Sequence, residues 1–173
     1  VEKGLLMVHT GTGKGKSTAA WGLVMRALGH GLKVGVVQFV KGRRETGERQ
    51  MLARFDDLVT VRVMGEGFTW ETQDRARDIK AAEAAWEEAK AMFADPSIHL
   101  VVLDELNIVL RYDYLDVNRV LADLAQRPVM QHVVATGRNA KPELIEAADL
   151  VTEMTLVKHP FREGVRGQLG VEF

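Results

Sequence analysis

The chain has 173 residues, no cysteine, and 23 Lys and Arg against 24 Asp and Glu, a formal net charge of −1. The lack of cysteine excludes a disulfide framework and a Cys-ligated zinc site, and the balanced charge argues against a nucleic-acid binder, which carries a basic excess or face. No apolar run reaches the roughly 18 residues of a membrane span and no signal peptide precedes the first strand, so the expectation is a cytoplasmic enzyme with no membrane partner.

Apolar, β-branched runs alternate with helical patterns along the chain, the mark of βαβ units and a mostly parallel sheet with helices around it. Residues 5–9 form the first expected strand and Ser17 to about Leu28 the first helix, closed by Gly29 and Gly31. A second strand is expected over 33–39, a polar loop over 41–47, a short helix over 48–55 and a third strand over 58–64. Gly65 to Trp70 reads as a loop. The longest helix is expected over 72–94, where Ala81, Ala82, Ala85, Trp86, Ala89, Met92 and Phe93 form an apolar stripe, and Asp95-Pro96 ends it. Leu100 to Leu103 is a buried strand ending in Asp104-Glu105. Helices follow over 106–111 and about 116–126, then a strand over 131–136 ending at Gly137-Arg138. A helix opens at Pro142 and runs to Ala148, and residues 150–157 are read as a last strand. No repeat, low-complexity stretch or linker interrupts this order, so residues 1–173 are expected to be one domain. A domain of this length buries roughly 70% of the surface that its unfolded chain exposes.

The chemistry is concentrated at the carboxyl ends of those strands, where open parallel sheets bind ligands. Thr10-Gly11-Thr12-Gly13-Lys14-Gly15-Lys16-Ser17-Thr18 follows the first strand and opens the first helix. In that setting backbone N–H groups converge on phosphate oxygens, Lys16 adds a point charge, and the Ser17 hydroxyl ligates Mg²⁺. The usual spacing asks for Gly at position 10; Thr10 stands there, with glycines at 11, 13 and 15 and an extra Lys14. Asp104 and Glu105 at the end of the fourth strand are the expected acidic partner, one carboxylate holding the metal directly or through water. The loop Gly65-Glu66-Gly67-Phe68-Thr69-Trp70 carries two large aromatics where a phosphate site needs none; they either cap the core or offer a flat wall to a planar ligand. Trp86 sits at core spacing and is read as packing. His9, His30 and His132 lack metal-ligand spacing and are read as structural or surface residues, and Lys158-His159 as solvent-exposed. Taken alone, the loop and acidic pair would also serve a conventional ATPase, a small-molecule kinase or a nucleotide-dependent binding module.

Taken together, GLLMVHTGTGKGKSTAAWGLVMRALGHGLKVGVVQFVKG, GFTWETQ, VVLDEL with YDYL soon after, TGR and VKHPF resemble the ATP:corrinoid adenosyltransferases of the phosphate-loop type, from about Gly4 to Phe173. The resemblance implies a RecA-like sheet with helices on both faces. It also implies transfer of the 5′-deoxyadenosyl group of ATP to Co(I) of a corrinoid, either cobalamin or cobyrinic acid a,c-diamide, with release of intact triphosphate. On that resemblance Gly11, Thr12, Gly13, Lys14, Gly15, Lys16, Ser17 and Thr18 bind ATP. Ser17 and Glu105, with Asp104 adjacent, associate with Mg²⁺ or Mn²⁺. Phe68 and Trp70, with Arg138, meet the corrinoid, and Lys16, Glu105, Phe68 and Trp70 are the catalytic set. The aromatics would favour loss of the lower axial ligand, which eases reduction of cobalt(II). A transient flavodoxin-like reductant and a homodimer are further implications. Many members have Thr where this chain has Ser17, and members often carry an N-terminal extension folded over the site.

Overall fold

A computed structural model of the chain describes residues 1–42, 44–64 and 74–173. Six strands, β1 (Leu6–Thr10), β2 (Lys33–Gln38), β3 (Val59–Val63), β4 (Ile98–Asp104), β5 (His132–Thr136) and β6 (Leu150–Glu153), form one sheet in the order β3-β2-β4-β5-β1-β6. Every pairing is parallel. The helices are α1 (Lys16–Gly29), α2 (Gly47–Leu52), α3 (Arg75–Phe93), α4 (Leu106–Arg111), α5 (Val117–Ala125) and α6 (Pro142–Ala147).

Strand side chains alternate between two cores, as a period of two requires when a parallel sheet is covered on both faces. Met7, Val34, Val36, Leu100, Val102 and Val134 face one core with α1 and α2. Leu6, Val8, Val37, Val101, Leu103, Val133 and Ala135 face the other with α3 to α6. The apolar stripe of α3 is buried at Ala82, Ala85, Trp86, Ala89, Met92 and Phe93, with Ala81 half-buried. Trp86 is fully buried, as its spacing predicts. Its ring packs edge-on to Phe93 at 5.6 Å, and its Nε1–H donates to Asp123 Oδ2 at 2.7 Å, so its one polar atom is satisfied inside the core.

Beyond shifts of a residue or two at element ends, the structure differs from the sequence reading in two expected elements and adds a 3₁₀ turn at Pro160–Glu163. The region 48–55 divides into α2 and a 3₁₀ turn at Ala53–Phe55, a tighter winding common at helix ends. The last strand stops at Glu153 rather than running to Val157. Its next residue is diverted: the Met154 N–H donates to the Thr10 carbonyl at 2.9 Å, and the Met154 carbonyl accepts from the Gly13 N–H at 2.8 Å. The chain leaves the sheet to brace the phosphate loop.

This strand order sets the site. β5 lies between β1 and β4, and β4 pairs with β2, so the carboxyl ends of these four strands are neighbours. The register places Gln38 beside Asp104 and His9 beside Thr136.

Candidate active site

The phosphate loop lies directly on the segment after β6. Gly11 has φ of 103°, and a Cβ there would stand 2.3 Å from the Met154 carbonyl oxygen; at Gly13 it would stand 2.8 Å from the Thr155 carbonyl carbon. Gly15, with φ of 110°, is the N-cap of α1, a left-handed conformation that glycine adopts without a Cβ clash. Thr10, in place of the usual Gly, is the last residue of β1. It is buried, and its Oγ1 accepts the Ala140 N–H at 3.0 Å. The departure from the common pattern is thus a tie to the loop that follows β5.

Lys16 and Ser17 open α1, whose first N–H groups have no intrahelical acceptor and whose dipole favours an anion. The Lys16 Nζ donates to the Gly13 carbonyl at 2.5 Å, and His9 Nδ1 lies 3.0 Å from the Lys16 carbonyl. Burial lowers the Lys16 pKa from its ordinary value, and repulsion by Arg138 and Lys14 adds to this, with Glu105 opposing. Cations from the phosphate loop and from the loop after β5 therefore share one electrostatic environment. Thr12, Lys14, Thr18 and Arg138 are exposed around it.

Asp104 is buried at the end of β4 and is held by three donors. Ser17 Oγ donates to its Oδ1 at 2.7 Å and Thr136 Oγ1 to the same atom at 2.9 Å, while Gln38 Nε2 reaches Oδ2 at 3.4 Å. The serine hydroxyl of the loop thus lies on Asp104. Thr136 Oγ1 also accepts the Glu105 N–H at 3.1 Å. Asn107, fully buried, donates from Nδ2 to the Gly137 carbonyl at 2.8 Å and the His9 carbonyl at 3.3 Å, which joins the ends of β1 and β5. Gly137, with φ of 132°, leaves room for it: a Cβ there would lie 2.9 Å from that of Asn107.

Glu105 has φ of 65°, a left-handed conformation uncommon for a residue with a side chain, and it caps α4. Burial and the neighbouring Asp104 push its pKa up to about 7, against the pull of Lys16 and Arg138. The ordinary value is 4.5, so between these two pH values the folded chain holds a proton that the unfolded chain releases. Stability therefore falls as pH rises through that window. Glu105→Gln removes this dependence: the nucleotide-free variant is expected to melt higher than the parent at pH 8 and close to it at pH 4.5. A melting difference that stays constant with pH would contradict the assignment.

Of the residues singled out in the sequence, the fold brings Lys14, Lys16, Ser17, Asp104, Glu105 and Arg138 to one sheet edge. Phe68 and Trp70 lie outside the described residues. Gln38, Thr136 and Asn107 were not anticipated. Gln38 and Thr136 end strands, the signal that could have found them; Asn107 gives none without the strand order. His9 is structural as read, and Lys158 is exposed with its Nζ 4.0 Å from Glu163. Among the described residues no cluster of three or more His, Asp and Glu could hold a metal by itself. No described helix is long and apolar enough to cross a membrane.

Comparison with known proteins shows the family of the chain. The family model for ATP:corrinoid adenosyltransferase BtuR/CobO/CobP matches residues 2–173. A corrinoid adenosyltransferase of Pseudomonas aeruginosa is 63% identical over 172 residues, covering 99% of this chain and 85% of the relative. One from a Sinorhizobium species is 58% identical over 174 residues, covering 99% and 81%. One from Escherichia coli K12 is 47% identical over 172 residues, covering 99% and 87%. The phosphate loop, the acidic strand end and the family match converge, and the chain belongs to the ATP:corrinoid adenosyltransferase family.

Proposed function

We propose that residues 1–173 act as one adenosyltransferase domain in which the loop at 11–18 grips the triphosphate of ATP as a leaving group. Co(I) of the corrinoid supplies both electrons of the new cobalt–carbon bond to C5′. The C5′–O bond breaks, and its electron pair leaves on the triphosphate. The protein then needs to hold C5′ in line with cobalt and to stabilise charge on the departing oxygen. The observation that carries this reading is the convergence of Lys14, Lys16 and Arg138 at one strand-end site, where burial first, and then repulsion by Arg138 and Lys14, lowers the Lys16 pKa. Such a cluster suits a highly charged polyphosphate, and its departure as intact triphosphate follows from the family's reaction.

The donor set suits a hard divalent cation. Ser17 Oγ and Asp104 Oδ1 are oxygen atoms 2.7 Å apart beside the phosphate loop, and Mg²⁺ is usually held by one or two such protein ligands plus phosphate and water. Ser17 and Asp104, with Glu105 beside them, would hold Mg²⁺ or Mn²⁺, which when bound neutralises charge on phosphate oxygens. Phe68, Trp70 and Arg138 would receive the corrinoid. A homodimer, a flavodoxin-like reductant and a cytoplasmic location complete the reading, on the family's chemistry.

Because no P–O–P bond breaks, ATP carrying a β,γ-imido bridge should still serve as adenosyl donor, giving alkylcobalamin from reduced cobalamin at a rate comparable to ATP. A protein that turns over ATP but fails with the imido analogue would be cleaving or transferring the γ-phosphate, and the proposal would be wrong.

A further inference from the structure

The end of the chain folds back across the site. After the 3₁₀ turn at Pro160–Glu163, Gly164 takes φ of 81° and Gly170 φ of 78°. The Val171 and Glu172 N–H groups both donate to the Gln168 carbonyl, at 3.2 and 2.8 Å, and the Gly170 N–H donates to the Phe173 carbonyl at 2.9 Å. This turn delivers two neighbouring side chains to two different strand-end loops. The Glu172 carboxylate is paired with Lys14 of the phosphate loop. The Phe173 ring lies under the Arg44 guanidinium, 4.5 Å from its centroid, in the loop after β2.

Apolar burial does little to hold this turn down, because Leu169 and Val171 are 83% and 79% exposed. The charge pair is asymmetric: the Lys14 side chain is 57% exposed and that of Glu172 only 20%. The carboxylate is thus tucked against the loop while its cation stays open to the solvent side. Lys14 is also one of the charges that repel Lys16. Glu172 therefore supplies the anion for a lysine that the site reading assigns to polyphosphate.

Resting on that reading, we infer that Glu172 is a tethered competitor of the polyphosphate for Lys14, and that it weakens the hold of the loop on both ATP and the triphosphate product. A triphosphate entering the loop brings several negative charges to the cation that Glu172 occupies, and these repel the carboxylate as they compete for the same ammonium. When the triphosphate is ready to leave, a carboxylate fixed to the same chain acts at high effective concentration and re-forms its pair with Lys14. No covalent step is involved; the exchange is of one anion for another on the same ammonium.

The test uses the full chain and its Glu172→Gln variant, which keeps the size of the side chain. Affinities for MgATP and for inorganic triphosphate are measured by calorimetry at low salt. The variant is expected to bind inorganic triphosphate roughly two- to fivefold more tightly, the range of an exposed ion pair, with ATP shifted in the same direction. The gap should close at about 1 M salt, where screening acts within ~3 Å. Lys14→Gln should weaken triphosphate binding more in the Glu172→Gln background than in the parent, since only there is Lys14 fully free for the ligand. Equal or weaker binding by Glu172→Gln, or strictly additive effects of the two substitutions, would overturn the role of Glu172 and leave the phosphate site intact. Failure of the parent chain itself to bind ATP and triphosphate would overturn the site reading beneath it.

Discussion

Replacing Lys16 with Met is expected to lower kcat/KM for ATP by about 10²–10³-fold, the usual cost of removing one charged donor from a developing anion. The Lys16 ammonium is folded onto the Gly13 carbonyl and repelled by Arg138 and Lys14. An incoming triphosphate relieves that repulsion, and the relief grows as the C5′–O bond breaks and charge accumulates on the leaving oxygen. Corrinoid affinity should be unchanged, since the lysine is assigned to the phosphates. Lys16→Arg should recover only part of the loss, because a planar guanidinium cannot take the place of a compact ammonium against the loop. Initial rates of alkylcobalamin formation at saturating corrinoid measure both. A Met variant within a fewfold of the parent would remove Lys16 from the leaving-group site.

Asp104→Asn is expected to lower activity by about 10- to 100-fold, in the range found when groups that hold a metal or its ligands are changed. Asp104 offers only acceptors to Ser17, Thr136 and Gln38. An Asn amide turns one of its two ends into a donor, which then faces either the two hydroxyls or the Gln38 amide. The charge that would attract Mg²⁺ is lost at the same time, so the variant should need more Mg²⁺ for half-maximal rate. Unaltered Mg²⁺ dependence would place the metal elsewhere.

The alternation of apolar runs and helical stripes made the layered architecture legible, because burial on both faces of a parallel sheet leaves a pattern in each segment alone. The stripe on α3 and the Gly-Lys-Ser junction at the start of α1 are local signals of this kind. The diversion at Met154 was not legible. Residues 150–157 keep an apolar alternation, and what ends the strand is its pairing with Thr10 and Gly13, far away in sequence. The same holds for Gln38, Thr136 and Asn107, ordinary residues that gain a role only when the order β2-β4-β5-β1 sets their strand ends side by side. Thr10 is another such case. In the sequence it shows only as a departure from the usual spacing, whereas in the fold its buried hydroxyl ties two loops of the site together.

The glycines at 11 and 13 acquire a second meaning from that packing. They keep the phosphate loop pressed to the backbone of residues 154–155, so the loop is braced from the sheet edge as well as from α1. Such bracing suits a site whose task is to hold a leaving group still while the reaction occurs at C5′, away from the phosphates.

The most direct test of the central claim is identification of the phosphorus-containing product by ³¹P NMR after incubation with MgATP and chemically reduced cobalamin in the dark. Intact triphosphate, formed in a one-to-one ratio with a light-sensitive alkylcobalamin, is the predicted result. ADP with orthophosphate, without a cobalt–carbon bond, would contradict it.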